Sequence, residues 1–117
     1  MTPAAFLKLA LALPDVDEGQ HQGGADLRVA GKIFASPAVR AGAAAYLKLT
    51  PEQQQMLCAA EPEAFAPVVG GWGLKGATWF YPKHADVSTA RSALWMAWRN
   101  AAPKSLLKAH ADRIVHT

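Results

Sequence analysis

The chain has 117 residues and 12.4 kDa, room for one domain spanning 1–117, since domains commonly run about 50–250 residues, and this excludes most multidomain enzymes. Of its hydrophobic residues 25 are alanines, but twelve Leu, four Trp and four Phe supply a core, which excludes a wholly disordered chain. The formal charge of +3 defines no partner by itself, yet it is unevenly spread: residues 1–63 hold five basic and seven acidic groups, residues 64–117 seven and two.

The first element is a helix over residues 3–13. Thr2 caps it, Pro3 takes the first helical position where its missing N–H costs nothing, and Phe6, Leu9, Ala10 and Leu13 form the inward stripe. The apolar run from Phe6 to Leu13 is interrupted by Lys8, stopped by Pro14, and far shorter than the roughly 20 residues a bilayer demands. No membrane segment or signal peptide is expected, and with a single cysteine, Cys58, the default compartment is the cytoplasm.

Asp15 to Gly24 reads as an irregular acidic turn leading into a short strand near Gly19–Gln22. Residues 26–36 alternate on both sides of Ala30-Gly31, which predicts a tight β-hairpin. A connection over 37–42 leads to a strand over 43–49. Thr50 and Pro51 then start a second helix that carries Met56, Leu57 and Ala60 inward and stops before Pro62.

Residues 65–69 and 77–81 read as two strands joined by a flexible glycine-rich loop, Gly70 to Gly76. The longest helix spans Asp86 to Ala101, with Val87, Ala90, Leu94, Trp98 and Ala101 inward. Pro103 breaks it, and a short helix over 104–109 precedes a frayed tail. The order α-β-β-β-α-β-β-α-α, with five to six strands, predicts an α+β fold: two layers, an antiparallel sheet with helices on one face.

Several segments together resemble the MmcQ/YjbR family of small bacterial domains. They are Ala12 to Gly19, Leu27 to Ala35, Leu47 to Gln53, Glu61 to Pro67, the loop from Trp72-Gly73 to Gly76, and Ala97-Trp98-Arg99 with Ala102-Pro103-Lys104. The resemblance implies the same two-layer α+β fold, a double-wing, CyaY-like appearance associated with DNA binding, and no established activity. Two departures stand out: Ala77-Thr78 separates Gly76 from Trp79, where the family often has Gly-Trp, and Pro14-Asp15 replaces the usual Pro-Gly.

Strand alternation with Leu27, Val29, Ile33, Ala35, Leu47 and Leu49 inward sends Arg28, Lys32, Phe34, Tyr46 and Lys48 to an open face. Aromatic rings there can stack on bases while the cations meet phosphates; an antiparallel sheet presents an outward polar face in any case. Trp72 and Lys75 at the tip of the glycine-rich loop make a candidate wing, which lacks the residue order of a P-loop. Arg91, Trp95 and Arg99, four apart on the long helix, with Lys104 and Lys108, make a basic strip or a solvated face in which arginine stems cover Trp95.

Asp15, Asp17, Glu18 and His21 form the one acidic cluster with a histidine. Carboxylates that satisfy turn amides explain it better than a metal, and no metal or other cofactor is expected. His84, His110 and His116 are isolated, Cys58 reads as a small buried residue, and nothing assembles a nucleophile, base and orienting acid. The expected function is a non-enzymatic binding domain with nucleic acid as partner. The alternatives are a protein-interaction module or homodimer using the open sheet face, and a small-ligand binder or enzyme with a pocket between the long helix and the sheet.

Overall fold

The computed structural model describes residues 1–21 and 24–115, the side chains of residues 20, 21 and 115 apart. Helix α1 spans Pro3–Leu11, and the Thr2 side chain accepts the Ala5 N–H as the sequence requires. Four strands follow, β1 Val16–His21, β2 Gly24–Val29, β3 Lys32–Ser36 and β4 Ala45–Lys48, then α2 Pro51–Ala60. Next come β5 Phe65–Pro67, the one-turn helix α3 Gly71–Leu74, β6 Ala77–Phe80 and a 3-10 turn over Pro82–His84. Helices α4 Val87–Ala101, α5 Lys104–Ala109 and α6 Ala111–Val115 complete the described residues. The fold is α+β: a six-stranded antiparallel sheet in the order β1-β2-β3-β4-β6-β5, with α1 and α4 packed on one face.

The core lies between that face and the helices. Leu27, Val29, Phe34, Ala35, Leu47, Phe65 and Phe80 meet Phe6, Leu94 and Trp98, all buried. Phe80 touches both Phe6 and Phe65 with ring centroids 5.3 and 5.0 Å apart. Trp98, fully buried, stands edge-on to Trp95 and donates its indole N–H to the Pro14 carbonyl at 2.9 Å, which ties α4 to the turn after α1.

Several expectations need correction. Asp17 and Glu18 lie on β1, in register with β2, because ladder pairing outweighs the poor strand propensity of Asp, Glu and Gly; of the expected strand Gly19–Gln22, Gln22 lies outside the described residues. Phe34 is fully buried. Leu27 pairs with Ala35 but Arg28 pairs with Ile33, so β3 carries one extra residue at Phe34. This bulge shifts the alternation by one position, turning Phe34 into the core and Ile33 to the open face, and it corrects Lys32 as well: paired with buried Val29, Lys32 leaves β3 toward the other side and borders the open face only at the turn end of the strand.

The loop after β5 contains α3, and residues 111–115 are helical instead of frayed; His116 lies outside the described residues. On α2 Leu57 packs half-buried against the core as expected and Gln54 is buried, while Met56 and Ala60 are exposed. On α4, Val87 is exposed and Trp95 is only 4% exposed. The α6 segment contributes to that burial, since the Arg113 guanidinium sits 5.4 Å from the Trp95 ring centre.

Among the described residues two that are not glycine, Asp15 and Ala30, have left-handed backbones. Ala30 and Gly31 at φ 49° and 79° make the hairpin turn that matches strand twist. Asp15 has φ 55°, a conformation that glycine adopts freely and aspartate tolerates, so Pro14-Asp15 can make a turn that suits Pro-Gly.

Candidate nucleic-acid interface

The open face of the sheet is concave. A groove of about 560 Å³ is walled by Asp26 and Arg28 of β2, Lys32 and Ile33 of β3, Tyr46 and Lys48 of β4, and Trp72 of α3. The alternation of β4 accounts for its share: Leu47 is buried in the core, so Tyr46 and Lys48 point away from it. Tyr46 pairs with Trp79 of β6 across the ladder, which places a third aromatic residue, 38% exposed, on the same face.

Charge in the groove is unequal. Arg28 and Asp26 are two residues apart on one strand and so share a face, where the guanidinium donates through Nε to Oδ1 at 2.8 Å and through Nη2 to Oδ2 at 3.1 Å. The Asp26 side chain is nearly sealed from water and the Arg28 side chain only partly so. Hydrogen bonding to Asp26, and then its negative charge, raise the Arg28 pKa further. Asp17 stands directly opposite Arg28 in the β1–β2 register. Lys32 and Lys48 are exposed and form no ion pair among the described residues, so they supply the groove's uncommitted positive charge. Partial burial pushes the Tyr46 phenol up, which keeps it a neutral, stackable ring at physiological pH.

Trp72 is 73% exposed on a helix of one turn, and the surroundings of that turn fix its place. A side chain on Gly73 would collide with the Val68 carbonyl oxygen, so the turn lies flat against the end of β5 because it carries glycine there. Buried Gln54 of α2 donates through Nε2 to the Gly73 carbonyl at 3.0 Å and to the Ala77 carbonyl at 2.9 Å. One side chain thereby anchors both α3 and the start of β6. At the other wall Asn100 of α4 donates to the Lys48 carbonyl at 2.9 Å and to Gln53 Oε1 at 2.8 Å, pinning the end of the strand that carries Lys48.

Of the residues expected from sequence, the fold gathers Arg28, Lys32, Tyr46, Lys48 and Trp72 around this groove. Lys75 caps α3 and is exposed, but it is not among the groove walls. Arg91 and Arg99 are exposed on α4, and Lys104 opens α5; these belong to the helical layer across the sheet. Phe34 is removed from the face by the bulge, and Trp95 from the helix strip by burial. Sequence reasoning missed Asp26, Ile33 and Trp79. Opposite charges at positions i and i+2 of a strand were a usable signal for Asp26, and alternation against inward Phe80 was one for Trp79; the bulge that exposes Ile33 leaves no local mark.

The other candidates stay apart from this groove. Asp15 Oδ2 and His110 Nε2 are 3.9 Å apart, at the limit of an ion pair, and no group of three or more metal-ligating side chains occurs among the described residues. Burial pushes the Cys58 thiol up, away from the thiolate a nucleophile requires. Leu94 and Trp98 fill the space between α4 and the sheet where the small-ligand alternative required a pocket. No helix is long and apolar enough to cross a membrane among the described residues.

The YjbR family model matches residues 11–100, from the end of α1 to the last turn of α4. The chain belongs to the YjbR family. The match takes in all six strands, hence every wall of the groove, and leaves α5 and α6 outside. No curated protein and no solved structure matches the chain.

Proposed function

We propose that this YjbR-family chain is a cytoplasmic, non-enzymatic binding domain that holds nucleic acid in the groove of its open sheet face. The observation that carries the reading is the convergence of two uncommitted lysines, Lys32 and Lys48, with two aromatic residues, Tyr46 and Trp72, on one concavity. Ammonium groups meet phosphates and displace their counterions, while exposed rings offer stacking surfaces indifferent to base identity. Lys75, Arg91, Arg99 and Lys104 contribute long-range attraction from other faces.

Two phosphate contacts are a small number, so the affinity is modest. Each adds a slope of about −0.7 to the dependence of log K on log salt for a single strand, which gives about −1.4 in total. Anisotropy of a labelled oligonucleotide titrated at several salt concentrations measures that slope. Binding that ignores salt, or no binding at low salt, contradicts the reading.

A second reading, self-association, is favoured by a different observation. Leu74, 83% exposed, lines a shallow depression between α2, β5 and α3 together with Pro51, Gln55 and Pro67, and Val69, 94% exposed, follows β5 two residues after Pro67. Light scattering at micromolar concentration distinguishes a dimer formed there from a monomer.

A further inference from the structure

We infer that the groove takes an unpaired nucleotide, one exposed base with its phosphate, in preference to a duplex. This narrows the nucleic-acid reading above and rests on it.

The shape of the groove favours an unpaired base. Reading a duplex takes a protruding element, a helix or a two-stranded ribbon, that enters a major groove about 12 Å wide. Here the apolar and aromatic groups, Ile33, Tyr46 and Trp72, wall a recess instead. The faces of stacked bases cannot enter a recess; a base reaches these rings only after it has left the stack. A volume of about 560 Å³ falls in the range of about 300–1,000 Å³ that accommodates small organic ligands, on the scale of a nucleotide.

Charge points the same way. Among the described strand residues the cations without an ion pair are Lys32 on β3 and Lys48 on β4, whereas β2 offers an arginine already held by Asp26, and β1 places Asp17 across from it. A phosphate backbone crossing toward β1 meets carboxylates, so the favourable path is short and stays on β3 and β4. Trp79, opposite Tyr46 on β6, lies beyond the groove in the direction away from those carboxylates. It offers a neighbouring base its own stacking surface.

The same chemistry is presented by a nucleotide within a single strand and by a free nucleoside monophosphate. The test therefore uses four probes at low salt: a fluorescein-labelled oligothymidylate, the same strand with abasic sites in place of the bases, a hairpin duplex of equal charge, and unlabelled thymidine monophosphate as competitor. The intact strand is expected to bind about ten-fold or more tighter than the abasic strand and the duplex, the equivalent of one base stack. Trp72→Ala is expected to remove that preference. Trp72 is mostly exposed, so the variant should keep the parent's circular dichroism and melting temperature.

Competition by the monophosphate at nucleotide concentrations matching those of the strand supports the inference with the free nucleotide as ligand; absence of competition supports it with the strand. Equal affinity for intact strand, abasic strand and duplex overturns the inference while leaving nucleic-acid binding in place, as does a full preference retained by Trp72→Ala. If no probe binds, both readings fall.

Discussion

Arg28 lies over Gly19. A Cβ on Gly19 would come within 2.8 Å of the Arg28 Nε and 2.6 Å of the Asp26 Oδ1 that holds it, so the ion pair on the open face fills the space a glycine leaves in the neighbouring strand. Through that packing Arg28 is spent on Asp26, and the groove's attraction for anions falls to Lys32 and Lys48.

Asp26→Asn should therefore move stability and affinity in opposite directions. The buried partner of the guanidinium loses its charge, which costs at least about 1 kcal/mol of folding stability. Removal of that carboxylate charge leaves the groove more positive, so single-strand affinity at low salt should rise. Urea unfolding and anisotropy titration of the same preparation read the two effects. An affinity that does not rise at low salt would show that the charge of Asp26 does not act on the bound strand.

Gln54 lies outside the groove but holds one of its walls. Gln54→Leu leaves the Gly73 and Ala77 carbonyls without their side-chain donor, at a cost of about 2 kcal/mol. It also frees the turn that carries Trp72. Oligonucleotide affinity should fall several-fold at a temperature where circular dichroism still reports the folded state, and an unchanged affinity would separate Trp72 from binding.

Ala30→Asn should stabilise the domain. Ala30 is exposed and has φ 49°, and it precedes Gly31 in a turn where both central residues are left-handed. Asn-Gly is the favoured pair for this geometry, and the gain expected is about 0.5–1 kcal/mol. Chemical denaturation measures it, and a loss would show that the turn is not of this type in solution.

Asp86 gives a pH dependence with a definite sign. Its carboxylate caps α4, accepting the Thr89 N–H at 2.8 Å. The Thr89 backbone N–H and then the Thr89 side chain hold its pKa below the ordinary 3.8. A carboxyl depressed on folding adds stability that is fully present above its unfolded value and is lost as pH falls through the folded one. Asp86→Ala should thus melt at a lower temperature than the parent at pH 7, and the gap should close as both are taken below the folded pKa. A gap that persists unchanged to the lowest pH would rule out the charged cap as its source.

Much of the fold was legible because its signals are local. Thr2-Pro3 and Thr50-Pro51 mark helix starts by capping chemistry, Ala30-Gly31 marks a hairpin, and Pro103 marks the end of α4. What escaped depends on pairing and packing across the chain. The Phe34 bulge is set by how β3 registers against β2, and the burial of Trp95 involves α6, whose Arg113 lies eighteen residues further along the chain. For the site, alternation correctly sent Arg28, Tyr46 and Lys48 outward. It could not tell that Asp26 would claim Arg28, nor that the cations of α4 and α5 belong to the opposite layer from those of β3 and β4.

On this reading the open sheet face, and not the basic helical layer, meets nucleic acid. A two-dimensional amide NMR titration with a short single-stranded oligonucleotide tests it most directly. The account predicts shifts concentrated at Arg28, Lys32, Ile33, Tyr46, Lys48 and the Trp72 indole, with Arg91, Arg99 and Lys104 unmoved. Shifts gathered on Arg91, Arg99 and Lys104, with the groove residues silent, would contradict it.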